Sequence, residues 1–153
     1  MRYTKLMLVL LGFAATLCAA DPFVGTWKMN PAKSKFTLGN TPKEQTVTIT
    51  EVGSDFNVKV AGIAADGSKL SMSYSVPVAG GPGKFLEAAA YEGVAGKRLG
   101  PSERAMSYTK GGKTVYTTHS KLSADGNSLS VTSKGLNPTG KEVAGTVVYD
   151  KQK

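Results

Sequence analysis

A single histidine, His119, and eleven carboxylates are the side chains of this 153-residue sequence best suited to moving protons. One histidine cannot build a histidine-rich metal site or a histidine pair. Catalysis at His119 would need an acid to orient the ring, and the residue pattern puts Thr117 and Lys121 on its face with no acid in the same strand. It is expected at the surface. Asp55, Asp66 and Asp125 lie at or beside turn signals, where short carboxylates bond the backbone. Glu51, Glu87, Glu92, Glu103, Glu142 and Asp150 fall at strand ends or in loops, without the local spacing of a carboxylate dyad. Serine and threonine are abundant, but no Gly-x-Ser-x-Gly elbow raises one as a nucleophile. Ala79 to Lys84 is glycine-rich, yet a phosphate-cradling loop needs glycine where Val78 stands and a hydroxyl where Phe85 stands. The chain is therefore expected to be no enzyme, with no catalytic residue, no metal and no cofactor.

What positions the remaining candidates begins after residue 20. Met1 to Lys5 carries Arg2 and Lys5, Leu6 to Leu17 is apolar, and Cys18-Ala19-Ala20 offers small residues before Asp21. This is the pattern of a secretory signal peptide over 1–20, and the apolar run falls short of the ~20 residues of a membrane span. Lipidation at Cys18 is disfavoured by Leu17 before it. Cleavage after Ala20 leaves a cysteine-free chain of residues 21–153, a size that suits one domain, expected to be exported to the periplasm or beyond. Losing Arg2 and Lys5 takes the formal charge from +8 to +6, which favours solubility and loose attraction to anionic polymers.

Residues 21–153 read as strands and turns. Gln45 to Val52 alternates threonines with Val47 and Ile49, Asp55 to Gly62 puts Phe56, Val58 and Val60 on one face, and Leu70 to Val78 alternates apolar residues with serines. Two-faced strands of this kind belong to antiparallel sheets. Gly53-Ser54, Asp66-Gly67, Gly100-Pro101, Gly111-Gly112, Asp125-Gly126 and Pro138-Thr139-Gly140 mark tight connections. Pro31, Gly39 and Pro42 make 31–44 a connecting loop whose lysines, Lys33, Lys35 and Lys43, with Lys28 beside them, form a basic lip. Ala79 to Lys84 reads as a flexible loop, and Phe85 to Glu92 either as one short helix or as part of the sheet. The expected fold is all-β: an antiparallel up-and-down meander of eight to nine strands, closed into a barrel because closure removes exposed edges.

Phe23-Val24-Gly25-Thr26-Trp27-Lys28 resembles the opening strand of the calycins, the lipocalin and fatty-acid-binding group of barrels, and Gly145 to Lys151 resembles the last strand of the fatty-acid-binding proteins. The Gly-Thr-Trp-Lys start and Tyr-acidic-Lys ending also resemble those of a set of small secreted bacterial proteins. The resemblance implies a lipocalin-like barrel with the tryptophan packed across one end and a ligand inside. It departs at two places: 31–42 cannot form a helical lid, and Val147 stands where the family's carboxylate-gripping arginine would, although Tyr149 keeps the tyrosine. Trp27, Phe56, Val58, Val60, Met72, Tyr74, Met106, Tyr108 and Tyr149 are the expected inward, ligand-binding residues, with Tyr74, Tyr108 and Tyr149 as orienting hydroxyls. The function this implies is binding of a small, mainly apolar ligand by a monomer. The alternative is a solid barrel that meets anionic polymers through the basic loop. Tyr108 and Tyr116 with Lys110, Lys113 and Lys121 could serve single-stranded nucleic acid only if exposed, and Tyr108 shares its face with Met106, so no specific nucleic-acid partner is expected.

Overall fold

The computed structural model describes residues 19–153, so most of the stretch expected to be a signal peptide, with Cys18, lies outside the described residues. Twelve strands follow one another: β1 (Gly25–Met29), β2 (Lys35–Leu38), β3 (Glu44–Val52), β4 (Asp55–Ile63), β5 (Lys69–Pro77), β6 (Gly80–Pro82), β7 (Lys84–Phe85), β8 (Gly93–Gly100), β9 (Glu103–Lys110), β10 (Lys113–Leu122), β11 (Ser128–Leu136) and β12 (Glu142–Lys151). All pairings are antiparallel, in the order β6-β8-β9-β10-β11-β12-β1-β3-β4-β5-β7. From β3 to β5 and from β8 to β12 neighbours in the sheet are neighbours in the chain, because each two-faced strand returns through a tight turn, while β1 joins the two runs by pairing with both β12 and β3.

The ends of that order meet. β6 pairs with β8 and β7 pairs with β5, while the intervening Gly83 donates its N–H to the Val94 carbonyl at 2.8 Å. Gly80 to Phe85 is thus one short strand, split at Gly83, lying between β5 and β8 and bringing the barrel nearly to closure. A side chain at Gly83 would collide with the Ser75 carbonyl and the Val76 side chain, so only glycine permits the switch of partners.

Three expectations need correction. Twelve strands stand where eight or nine are expected, largely because the two stretches read as loops contain strands. The 31–44 loop carries β2, which pairs with β12 at Ala144 to Thr146 beyond the point where β1 leaves it. Gly145 makes this approach feasible, since Phe36 lies where its side chain would be. Ala79 to Lys84 is the closing strand. Phe85 to Glu92 forms no helix: Phe85 ends β7 and the rest runs through bends, its alanines exposed and without the apolar face a helix would bury. No helix occurs among the described residues.

The inward faces build one core. Trp27, Phe23, Phe56, Leu129 and Val76 are its largest fully buried side chains. Trp27 Nε1 donates to the Phe23 carbonyl at 3.0 Å, and the Lys151 ammonium sits 5.1 Å from the centre of a tryptophan ring. This plugs the end of the barrel where the described chain begins.

Candidate ligand cavity

The register decides which side chains meet inside. Tyr108, Met106 and Arg104 of β9 stand opposite Tyr116, Thr118 and Ser120 of β10, and Val58 and Val60 of β4 stand opposite Tyr74 and Met72 of β5. Directly opposed residues share a face, so these rows converge on the barrel axis. They line a partly open cavity of about 130 Å³. Eight of the nine expected residues line it: Phe56, Val58, Val60, Met72, Tyr74, Met106, Tyr108 and Tyr149. Trp27 does not, because it is fully buried in the end plug. Val60 and Met72 are half-buried and pack against the core from its edge.

Four tyrosines fill much of the interior. Tyr91 stacks on Tyr116 with centroids 5.9 Å apart, Tyr108 tilts against both, and Tyr74 meets Tyr108 edge to face at 6.0 Å. Such contacts stabilise by about 0.5–1.5 kcal/mol each beyond area burial. Burial pushes the Tyr74, Tyr91, Tyr108, Tyr116 and Tyr149 phenols up from their ordinary value, so all five stay neutral as donors. Tyr91 donates to the Leu136 carbonyl at 2.9 Å, and Tyr149 to Gln45 Oε1. Tyr108 and Tyr74 share a hydrogen bond of 3.2 Å. Whichever of that pair donates, one O–H of the two finds no protein acceptor. Both tyrosines line the cavity.

The sequence reading missed the charged residue at the plugged end. Arg104 is 5% exposed, and its guanidinium has no carboxylate partner among the described residues. Nη1 donates to the Val78 carbonyl at 2.7 Å and Nη2 to the Pro77 carbonyl at 3.2 Å, with the Phe56 ring centre 4.7 Å from Cζ. Burial lowers its pKa, with neighbouring Arg98 adding to the effect. Arg98 itself pairs with Asp21 at 2.6 Å. The alternation Arg104, Met106, Tyr108 carried the signal, since an arginine in register with buried residues must point with them. The inward polar set of β10, Thr118 and Ser120, was missed too, because a bulge between Thr114 and Tyr116 resets its alternation.

His119 is exposed, and its Nε2 lies 3.2 Å from Glu103 Oε2, an acid supplied by the neighbouring strand. Lys121 also reaches Glu103, at 3.0 Å, and its hydrogen bond is the main cause that holds the Glu103 carboxyl below its usual range. The trio lies on the outer face, away from the cavity. No group of three potential metal-ligating His, Cys, Asp or Glu occurs among the described residues.

Strand order and the inward-facing core together define a nearly closed, up-and-down antiparallel barrel. No protein-family model matches the sequence, nor does any curated protein. Among solved structures, the chain is similar to a zebrafish ileal bile-acid-binding protein complexed with cholic acid, with TM-score 0.48 and 13% identity over 86% of this chain and 99% of that one. It is also similar to apocrustacyanin C2, with TM-score 0.41 and 15% identity over 86% of this chain and 62% of that one.

Proposed function

We propose that this protein is an exported, noncatalytic barrel that acts as a monomer and binds one small, mainly apolar molecule in its interior. The observation that carries the reading is the interior cavity with an unspent tyrosine O–H at the Tyr74–Tyr108 pair. A mainly apolar lining with this O–H, the Thr118 and Ser120 hydroxyls and the Arg104 guanidinium at its edge suits a ligand with a hydrocarbon body and an acceptor oxygen. Size narrows the choice. Sites for drug-sized ligands run to ~300–1,000 Å³, whereas a ~150 Å³ apolar cavity holds benzene. At about 130 Å³ the interior takes roughly one ring, not a long acyl chain or a fused ring system.

Thermal melts against matched pairs of single-ring compounds test this. Cyclic ketones should raise the melting temperature, the parent hydrocarbons less, and the double variant Tyr74→Phe/Tyr108→Phe, which removes both hydroxyls, should erase the difference. A melt unmoved by every compound would leave a solid barrel and sink the proposal.

A further inference from the structure

A second concavity lies on the outside of the barrel. It measures about 460 Å³ and lies across β8, β9, β10 and β11. Its shape follows from side-chain length: Ala95, Ala105 and Ser107 form a low floor, and longer residues on the flanking strands stand above it. The charged residues lining it are Lys97, in the row Lys97–Ala105–His119–Thr132, and Lys134, in the neighbouring row Ala95–Ser107–Thr117–Lys134. No carboxylate lines it, and neither lysine has an acid within ion-pair distance among the described residues.

We propose that this groove binds a linear, carboxylate-bearing polysaccharide. The lysines stand on β8 and β11, three strand spacings or ~14 Å apart, so their charges suit an extended anion better than a compact one. Between them, the methyls of Ala95 and Ala105 offer an apolar floor to sugar C–H faces. The Ser107, Thr117 and Thr132 hydroxyls can each donate and accept. The Thr117 hydroxyl donates to the Lys134 carbonyl at 3.4 Å and the Thr132 hydroxyl bonds the Thr146 hydroxyl at 2.9 Å, so each retains capacity to accept from a ligand. Other anionic polymers fit less well. The backbone amides of these strands are spent on the ladder and make no phosphate nest, no arginine lines the groove for a bidentate phosphate contact, and no aromatic platform lines it to stack a base. The site is independent of the interior cavity and stands or falls without it.

Isothermal titration of residues 21–153 with oligogalacturonate at low salt is the test, with maltodextrin, polyphosphate and an oligothymidylate as comparators. Binding should be measurable for oligogalacturonate, absent for maltodextrin and weaker for the other two. The double variant Lys97→Gln/Lys134→Gln should weaken it by about tenfold, and Ser107→Trp, which fills the floor, should abolish it. Lys33→Gln/Lys43→Gln in the basic loop should leave it within about twofold. Unchanged melting temperatures in the glutamine variants separate lost binding from lost folding. No binding, equal or tighter binding of maltodextrin, polyphosphate or the oligonucleotide, or loss through the loop variant alone would each overturn the assignment.

Discussion

Tyrosine burial makes this barrel sensitive to base. The phenols of Tyr74, Tyr108 and Tyr149 are held above their ordinary value of 10.0 by burial. A raised folded-state pKa contributes stability that is fully present below the unfolded value and lost as pH climbs through the folded one. Denaturant midpoints should therefore hold steady up to about pH 10 and fall above it. Phenolate absorbance should appear in step with unfolding. A gradual rise in absorbance while the protein stays folded would show the phenols to be solvated. Trp27, fully buried and bonded to the Phe23 carbonyl, should cost ~3–5 kcal/mol on replacement by alanine, read by urea denaturation. That residue was recognisable from its motif and its singularity. Arg104 was harder to see, because a charged letter inside an alternating stretch reads as a surface residue until cross-strand register shows what faces it.

At the level of elements, legibility followed periodicity. β3, β4 and β5 alternate strictly, and the expected inward residues Phe56, Val58, Tyr74 and Val76 are all buried there. β2, β6 and β7 escaped notice because glycine and proline dominate their neighbourhoods and each is four residues or fewer. Short strands are made by partners rather than by propensity, and a partner more than a hundred residues away, as Thr146 is from Lys35, leaves no local mark. Gly83 follows the same logic. Gly83→Ala should destabilise the fold by ~2 kcal/mol, and amide exchange should speed up in β8 near Val94 and in β5 near Ser75 while the β11–β12 ladder stays protected. Equal acceleration everywhere would mean that the glycine does not govern closure.

For the whole molecule, the two ends of the described chain hold each other. β12 pairs with β11 on one side and with both β1 and β2 on the other, and Asp150 bonds Asn30 at 2.7 Å and Lys33 at 3.3 Å. Truncation after Val147 takes away every β12 partner of β1, from Tyr149 to Lys151. The shortened chain should show no cooperative thermal transition, which near-ultraviolet circular dichroism would register. Pairings so distant in sequence also slow folding, with times expected in the ~ms to s range.

The wall between β5 and β8 is stitched by three residue pairs on one side and two on the other, whereas β3 and β4 share nine, as do β11 and β12. Thermal breathing concentrates where the fewest bonds must break together. The vessel thus has a built-in parting line: the seam at Gly83 should open first, while the nine-pair ladders of β3–β4 and β11–β12 stay whole.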